Sequence, residues 1–471
     1  MFKRVLVANR GEIAVRIIRA LKEMGIESVA VYSDADRDAL HALSGDYAYA
    51  LNGNRPVDTY ANIDKLINIA KIAGVDAIHP GYGFLSERPK FAEAVENAGI
   101  CFIGPASGVI KLMGDKIEAR KLMLSIGVPV VRGSRGAISN IGEAEEIAAK
   151  IGYPVLIKAA AGGGGMGMKV ARDSKELAEG LEAVQKTALA LFSDDSVFVE
   201  KYIERPRHIE VQVVGDSYGN YIHLGERECS IQRRHQKVVE EAPSTVLTPE
   251  LREKMGAAAV SIASSVGYNS VGTVEFIYDS GDFYFLEMNT RIQVEHTITE
   301  MITGIDIVKL QIRIAAGEPI GFGQEEVSFN GHAIECRVCA EDPFNSFIPS
   351  PSKITRYVAP GGFGVRLDSG VAAGYEVSSY YDSMLAKLIC WGVSREEAIA
   401  RMRRALNEYV IAGPKTTVPF LWAIMNNKDF ADKNICTRFI EEHGELFDEA
   451  GEFTGGTARN KFLIIADSTG E

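Results

Sequence analysis

The spacing of hydrophobic positions at the start of the chain predicts a strand, a helix and a second strand. One apolar run occupies residues 5–8, and a second occupies residues 28–32. Between them, apolar residues recur as they do on one face of a helix: Ile13, Ile17, Leu21 and Met24. This βαβ order predicts a parallel sheet. Residues 75–81 and 100–105 predict a second unit of the same kind.

A regular alternation of polar and apolar residues marks the segment 287–295. If the segment is extended, its two-residue period separates the polar side chains from a buried face. The oxygen atoms at the start of the row can bind Mg²⁺, and the cation and carboxylate at its end can hold an anion beside a base. A half-solvated surface strand is the alternative. The polar face holds Glu287, Asn289, Arg291, Gln293 and Glu295, and the buried face holds Met288, Thr290, Ile292 and Val294.

The preceding residues, 272–287, predict a β-hairpin whose register decides whether a metal site can form. A two-residue turn at 280–281 would pair Glu275 with Leu286. The carboxylates of Glu275 and Glu287 would then lie on opposite faces. A three-residue loop or a β-bulge would instead pair Glu275 with Glu287, so that both carboxylates reach one cation. A metal site requires this second register or an equivalent distortion.

A glycine-rich loop at residues 162–167 follows an apolar run that ends in Lys158. Glycines allow backbone amides to approach phosphate oxygens, and the lysine adds a point charge. The loop matches a dinucleotide-binding fingerprint only weakly, because a short strand rather than a long helix is expected after it. We interpret it as a flap between two strands that closes over a nucleotide. A hairpin tip without a ligand is the alternative.

A basic cluster at residues 227–238 stands out in an acidic chain. Taken alone, such a run is typical of a solvated face. Beside a glycine loop and a pair of carboxylates, it indicates an anion pocket.

Together these segments resemble the biotin carboxylase family, within the ATP-grasp superfamily. The resemblance runs from residue 4 to about residue 445, and its motifs occur in the family's order. They occupy residues 4–14, 79–87, 113–116, 162–167, 233–237, 287–296 and 335–337.

The resemblance implies an α/β fold with three domains. We expect a Rossmann-like N-terminal domain with a parallel sheet at 1–113 and an ATP-grasp domain at 114–329. The latter would carry a mobile glycine-rich lid at about 131–203. An α+β C-terminal domain would follow at 330–447. The tail, 448–471, matches no motif of the family and is left unassigned.

The resemblance also implies a reaction, the ATP- and bicarbonate-dependent carboxylation of biotin through carboxyphosphate. Glu295 would be the base that deprotonates bicarbonate. Arg291, Gln293 and the Val294 backbone would hold bicarbonate, and Lys237 would help to neutralise it. Arg337 would stabilise the biotin enolate.

The same resemblance assigns the residues that bind MgATP or MnATP. The phosphates would contact Lys116, Lys158 and the flap residues Gly163, Gly164, Gly165 and Met168. The adenine would meet Glu200, the Lys201 backbone and Ile203. The ribose and phosphate region would be lined by His208, Gln232 and His235. The metal ligands would be Glu275, Glu287 and Asn289.

Two positions depart from the common family pattern. Met166 stands where many relatives have Arg, which is expected to weaken one phosphate contact while the flap amides remain. Thr297 stands where Pro is usual, just beyond Glu295, and can alter the backbone of that base.

Charge, hydropathy and cysteine content limit the partners. A net charge of −12 argues against nucleic acid as a main partner. No long apolar segment predicts a membrane span or a signal peptide, so we expect a cytoplasmic protein. The six cysteines do not suggest a disulfide framework. The pair Cys336 and Cys339 lies in a predicted strand, where their offset of three places the thiols on opposite faces.

The resemblance extends to partners. The chain carries no biotin-attachment motif, so we expect the biotin on a separate carrier protein or on a biotinylated carboxyltransferase subunit. The final acceptor would be pyruvate, our preferred interpretation, or acetyl-CoA or another acyl-CoA. A homodimer with contacts at Arg19, Glu23 and Arg366 is also expected.

Three other classes of protein fit part of the pattern. Another ATP-grasp ligase, such as the carbamoyl-phosphate type, also makes carboxyphosphate but has no use for Arg337. A small-molecule kinase or peptide ligase would be indifferent to bicarbonate. A non-enzymatic assembly protein would tolerate loss of the charged row.

Overall fold

The computed structural model of the protein describes residues 1–134, 136–138, 140–160, 167–192 and 194–456. The residues predicted at the centre of the glycine flap, Gly163, Gly164, Gly165 and Met166, lie outside the described residues, as does the tail beyond 456.

The N-terminal region contains the predicted parallel sheet, with strand order β3-β2-β1-β4-β5. Both predicted βαβ units are confirmed, because β1, α1 and β2 form the first and β4, α4 and β5 form the second. The strands are β1 (Arg4–Val7), β2 (Glu27–Tyr32), β3 (Tyr47–Ala50), β4 (Ala77–His79) and β5 (Cys101–Phe102). The helices are α1 (Gly11–Glu23), α2 (Leu40–Ser44), α3 (Ile63–Ala73), α4 (Pro89–Asn97) and α5 (Ser107–Gly114). Single 3₁₀ turns occur at Asp34–Asp36, Pro56–Asp58 and, further along, Gln324–Glu326.

A small unit with its own core follows the N-terminal region. Its antiparallel sheet has the order β7-β6-β8, and β6 and β7 flank the glycine loop as expected. The core contains Ala148, Ile157, Leu181 and Val199 and is separate from the cores of the larger sheets. The elements of this unit are α7 (Ile141–Ile151), β6 (Val155–Ala159), β7 (Met168–Ala171), α8 (Ser174–Phe192) and β8 (Val197–Lys201). Helix α6 (Lys116–Ser125) precedes them and packs with Ala119 and Met123 into the core of the central sheet.

An eight-stranded sheet forms the centre of the molecule, in the order β13-β12-β9-β10-β11-β14-β19-β18. All neighbours in it are antiparallel. Its first strands are β9 (Arg207–Gly215), β10 (Tyr221–Arg233), β11 (Gln236–Ala242), β12 (Val271–Asp279) and β13 (Asp282–Asn289). Helices α9 (Pro249–Ser265), α10 (His296–Thr303) and α11 (Ile307–Ala315) accompany them.

The same sheet continues into the C-terminal region, because β11 pairs with β14. The two expected domains on either side of residue 330 therefore share backbone hydrogen bonds. The strands are β14 (His332–Cys339), β15 (Glu341–Asp342), β16 (Ile348–Pro349), β17 (Arg356–Val358), β18 (Val365–Ser369), β19 (Met384–Gly392) and β20 (Val410–Ala412). The helices are α12 (Arg395–Glu408), α13 (Val418–Asn426), α14 (Lys428–Ala431), α15 (Phe439–Glu442) and α16 (Leu446–Gly456).

Three details differ from the sequence-based expectations. The alternating row is a strand only as far as Asn289, and residues 290–295 form a bend and turn that lead into α10. Arg16 lies on the side of the predicted first helix opposite its apolar residues, where a solvated side chain is expected, but it is buried. Helix α16 runs through the expected boundary at 447, with the Phe453 ring centroid 5.2 Å from that of Trp422.

The hairpin has the register that a metal site requires. The turn at Ser280 and Gly281 has two residues, with φ of 51° and 97°. A bulge at Leu286 then shifts the register, so that Glu275 pairs with Glu287 while Phe276 pairs with Phe285. The bulge, rather than a longer loop, brings the two carboxylates to one face.

All six cysteines are free. In the part of the chain that the structure describes, no helix combines the length and the apolar composition needed to cross a bilayer.

Candidate active site

The centre of the site is one lysine surrounded by three carboxylates. The Lys237 Nζ atom, from β11, lies 2.5 Å from Glu210 Oε2, 2.9 Å from Glu275 Oε1 and 2.5 Å from Glu295 Oε1. Adjacent strands produce this convergence, because Glu210 on β9 pairs directly with Glu275 on β12. Two like charges in cross-strand positions repel each other. The lysine between them offsets that repulsion.

Glu295 is also bound by a second cation. The Arg337 Nη2 atom lies 3.0 Å from Glu295 Oε2, and Arg337 also contacts Glu240 Oε1 at 2.5 Å. Burial by itself would raise the pKa of Glu295, but Lys237 and Arg337 outweigh it and hold this pKa well below its usual range. Glu295 is therefore ionised, and it gains basicity only when these cations turn to another anion.

Arg291 and Gln293 lie beside this cluster. Arg291 donates from Nε to Glu87 Oε2 at 2.8 Å and from Nη2 to Asn289 Oδ1 at 2.8 Å. Gln293 donates from Nε2 to Glu275 Oε1 at 2.7 Å. The turn at 290–295 therefore brings the predicted bicarbonate-binding side chains together without being a strand.

The predicted metal ligands lie on the paired strands β12 and β13, with Glu275 in the middle of β12 and Glu287 and Asn289 toward the end of β13. Asn289 donates from Nδ2 to Glu275 Oε1 at 2.9 Å. Burial, and then the neighbouring Glu275, raises the pKa of Glu287. Two carboxylates, one buried and one half-buried, with an amide oxygen nearby are a donor set that suits Mg²⁺ or Mn²⁺.

The predicted nucleotide contacts are partly assembled. Lys158 and Glu200 form an ion pair across β6 and β8. Lys116 begins α6, and burial lowers its pKa while Glu287 acts in the opposite direction. The backbone N–H of Lys201 donates to Arg132 O at 2.7 Å, so this N–H is already engaged.

The residues expected around the ribose separate into two groups. His208 and Gln232 are buried, and His208 Nδ1 lies 3.0 Å from Gln232 Nε2. His208 Nε2 also lies 2.9 Å from Glu275 Oε2. His235 instead is exposed in the turn between β10 and β11, with φ of 65°. Ile203 and Met168 are half-buried at strand ends.

Several residues of the cluster were not identified from the sequence. Arg227 is fully buried and donates to Glu210, and Glu240 supports Arg337. Glu87 holds Arg291. A signal for Glu210 did exist, because β9 alternates polar and apolar residues just as segment 287–295 does.

The Thr297 departure is accommodated by a new contact. Thr297 lies in the first turn of α10, and its hydroxyl donates to the buried carboxylate of Glu335. Glu295 precedes this helix with φ of −82° and ψ of 12°, so the helix starts in spite of the missing proline.

The three residues expected at a dimer contact lie around one surface cleft of about 310 Å³. Arg366 donates from Nη1 to Glu300 at 2.7 Å and from Nη2 to Asp368 at 2.8 Å. Glu23 pairs with Lys309 at 2.5 Å, and Arg19 is exposed.

Comparison with protein families places three domain models along the chain in order. The biotin carboxylase N-terminal domain matches residues 1–110. The ATP-binding domain of the carbamoyl-phosphate synthase L chain matches residues 115–322. The biotin carboxylase C-terminal domain matches residues 335–442.

Whole-chain relatives are similar over nearly their full lengths. A pyruvate carboxylase subunit from Methanothermobacter thermautotrophicus is 56% identical over 443 residues, which cover 94% of this chain and 90% of the relative. The 2-oxoglutarate carboxylase small subunit of Hydrogenobacter thermophilus is 54% identical over 451 residues, which cover 96% and 95%.

Solved structures give the same result. The biotin carboxylase domain dimer of the H. thermophilus 2-oxoglutarate carboxylase, in complex with MgADP, ADP and bicarbonate, superposes with a TM-score of 0.91 at 54% identity. The match covers 95% of this chain and 99% of that one. The three domain models, the relatives and this structure agree, and the chain belongs to the biotin carboxylase family of ATP-grasp enzymes.

Proposed function

We propose that this biotin carboxylase uses the Lys237, Glu295 and Arg337 cluster to carboxylate biotin with ATP and bicarbonate, through carboxyphosphate. The observation that carries the proposal is the position of Glu295, a buried carboxylate held between two cations. Bicarbonate must lose a proton as it attacks the γ-phosphorus, and it needs both a base and a cationic pocket. This cluster supplies both within one small volume.

Bicarbonate binding exchanges ion-pair partners. The incoming anion is held by Arg291, Gln293 and the Val294 backbone, and it draws Lys237 away from Glu295. The pKa of Glu295 then rises, because a cation that lowered it is now shared with the substrate. Glu295 takes the bicarbonate proton as the bicarbonate oxygen bonds to the γ-phosphorus and ADP leaves.

MgATP is placed by residues on both sides of the cluster. Lys116 and Lys158 hold the phosphates, and Glu275, Glu287 and Asn289 would hold Mg²⁺ or Mn²⁺. The metal would neutralise charge on the phosphate oxygens. The adenine lies against Glu200, Lys201 and Ile203. The Lys158 and Glu200 ion pair has to open for Lys158 to reach a phosphate.

The second half of the reaction uses Arg337. Carboxyphosphate splits into CO₂ and phosphate, and the phosphate removes the proton from the biotin ureido nitrogen. Arg337 stabilises the enolate oxygen that results, and the enolate nitrogen bonds to CO₂. Exclusion of water matters, because carboxyphosphate hydrolyses readily.

The decisive experiment measures phosphate release from MgATP with bicarbonate and free biotin each added or omitted. In the wild type, release should require bicarbonate and increase with biotin. In Glu295→Gln, it should fall by about 10²-fold to 10⁴-fold. Glu226→Gln is the matched control, because Glu226 is also buried and pairs with an arginine, at 2.8 Å from Arg252 Nε, outside the cluster. Turnover that ignores both additives would contradict the proposal.

The carboxylated biotin is presented by a separate partner, either a biotin carboxyl carrier protein or a biotinylated carboxyltransferase subunit. The support is that two relatives of matching length are named as subunits of larger carboxylases. Pyruvate is our preferred final acceptor, and acetyl-CoA, another acyl-CoA and 2-oxoglutarate are the alternatives. Addition of each acceptor with the purified partner protein, and measurement of labelled bicarbonate incorporation, distinguishes them.

The active form is a homodimer whose contact includes Arg19, Glu23 and Arg366. A dimeric relative with a TM-score of 0.91 supports this assembly. Arg19→Glu should shift the sedimentation coefficient toward that of a monomer, because it reverses an exposed charge at the proposed contact. The change disturbs no internal ion pair shown in the structure. The cytoplasmic location and the domain limits at 113, 329 and 447 stay predictions.

A further inference from the structure

Lys387 is a buried cation whose role is not explained by the cluster described above. Its side chain, on β19, is 0% exposed. Its Nζ atom donates to the Val294 carbonyl oxygen at 2.8 Å and lies 3.3 Å from Glu12 Oε2. One ammonium group thus connects the C-terminal strand, the first helix and the turn that carries the catalytic base.

Burial of the Lys387 ammonium carries a desolvation cost. An ammonium loses its hydration when buried, and an ion pair inside a protein often contributes no more stability than apolar residues of the same volume. Glu12, the carboxylate that forms an ion pair with Lys387, is itself buried, and burial raises its pKa to about 7 in spite of Lys387. Asp368 lies opposite Lys387 on the neighbouring strand, and Lys387 also opposes the rise that burial causes in the pKa of Glu335. Glu12 also accepts a hydrogen bond from Tyr82. A purely structural contact between these elements could be made more cheaply by apolar side chains.

The geometry points to Lys387 as a positioning residue for bicarbonate activation: by holding the Val294 carbonyl, it fixes the direction in which Glu295 leaves the backbone. This inference rests on the proposed role of Glu295 as the base. The peptide that joins Val294 to Glu295 is planar, so fixing its carbonyl also fixes its N–H and the position of the Glu295 Cα. The direction of the side chain then follows from the φ of −82° with which Glu295 enters α10. The Glu295 carboxylate is then aimed at Lys237 and Arg337.

The turn at residues 290–295, which Lys387 contacts, is not part of the hydrogen-bonded sheet. Residues 290–295 follow the last residue of β13 and precede α10, so they lie outside the ladder of the sheet. Three of the proposed bicarbonate contacts, Arg291, Gln293 and the Val294 backbone, lie in this turn. Lys387 is a rigid anchor for it, because β19 is paired on both sides, with β14 and β18.

The test compares Lys387→Met with a matched buried cation elsewhere in the same region. Misplacement of a catalytic group by about 1 Å costs about 100-fold, so kcat/KM for bicarbonate should fall by about that factor in Lys387→Met. The KM for MgATP should change by less than about twofold, because no proposed nucleotide contact is touched. Arg395→Met removes a buried cation that lies 2.6 Å from Glu241 and should lower stability without this selective loss.

The double variant Lys387→Met with Glu12→Gln separates positioning from charge burial. It also removes the carboxylate that Lys387→Met leaves without its ion-pair partner, so its Tm should recover in part relative to Lys387→Met alone. If Lys387 positions the turn, the bicarbonate defect should persist in the double variant. Recovery of kcat/KM for bicarbonate to within about twofold of wild type, or equal losses for bicarbonate and MgATP, would overturn the inference. Failure of the proposed function itself would show separately, as wild-type turnover that does not depend on bicarbonate.

Discussion

Two cations, Arg227 and Lys237, bind the same carboxylate in this molecule but differ in their exposure and in their other partners. Arg227 Nε lies 2.5 Å from Glu210 Oε1, and Lys237 Nζ lies 2.5 Å from Glu210 Oε2. The Arg227 side chain is 0% exposed, whereas 11% of the Lys237 side chain is exposed. Glu210 therefore links an enclosed cation to one that ligands can reach.

The difference lies in the partners. Arg227 presents a rigid fork of donors, and neutral side chains complete it, since its other partners are Gln212, Thr299, Thr273 and Gln293. Among the residues that the structure describes, the hydrogen bonds of Lys237 go to the carboxylates of Glu210, Glu275 and Glu295, which can also attract a metal or exchange with an anion. A cation that is enclosed by one carboxylate and several neutral side chains stabilises a scaffold. A partly accessible cation that is bound to several carboxylates can change partners during a reaction.

The largest effect should come from the enclosed cation. Arg227→Met leaves Glu210 without its buried partner and should lower the free energy of unfolding by about 3–5 kcal/mol. Urea unfolding measures this. Arg227→Lys keeps the positive charge but loses the forked set of donors, so its free energy of unfolding should lie between those of the wild type and Arg227→Met. An Arg227→Met protein as stable as the wild type would contradict the structural assignment.

Removal of the accessible cation should affect activity more than folding. Lys237→Met should reduce bicarbonate-dependent phosphate release by about 100-fold, while its unfolding free energy should change less than that of Arg227→Met. Steady-state kinetics and urea unfolding on the same preparation test both halves. If the two variants lost stability equally and activity equally, the distinction between scaffold and exchanger would fail.

A smaller effect should appear in the pH dependence of stability, through Glu240, the buried carboxylate that contacts Arg337. Burial raises the pKa of Glu240 from 4.5 to about 8, although Arg337 opposes the rise. At a pH below the pKa of this carboxyl in the unfolded chain, Glu240 is protonated in both the folded and the unfolded state. As the pH rises toward 8, the carboxyl ionises first in the unfolded chain, so the folded state becomes progressively less favoured. Glu240→Gln should remove roughly 1–2 kcal/mol of this decline between pH 5 and pH 8. Urea unfolding across that range is the measurement, and identical profiles would refute the assignment.

The smallest effect should come from an ion pair in full solvent. Lys186 pairs with Glu182 at 2.6 Å on α8, and the two side chains are 74% and 70% exposed. Lys186→Ala should leave unfolding and phosphate release unchanged within error, because solvent screens such pairs. A measurable loss would mean that exposure is a poor guide to the roles of Arg227 and Lys237 as well.

Local patterns sufficed for much of the fold. The apolar spacing of residues 5–32 predicted β1, α1 and β2, since an amphipathic period depends only on near neighbours in sequence. The alternation in 287–295 likewise identified the side chains that face the site. It did not reveal where the strand ends, because the turn at 290–295 is held by Glu87 and Lys387, which are distant in sequence.

The register of the β12–β13 hairpin and the burial of single side chains could not be predicted from local sequence patterns. The bulge at Leu286 pairs Glu275 with Glu287, and the hairpin sequence alone left two registers open. His208, Gln232 and His235 were predicted together around the ribose and phosphates, and nothing in their sequence indicated that two are buried while His235 is exposed in the tight turn between β10 and β11.

By itself, the sequence determined the family, the parallel N-terminal sheet and the identities of most charged groups in the site, because motifs and short periods are local properties. Only the tertiary structure decided which cation each carboxylate meets. Glu210, Arg227, Lys237 and Glu295 lie on different elements, and their distances follow from strand pairing across the eight-stranded sheet. Electrostatic interactions depend on those distances and on burial, and neither can be read along one chain.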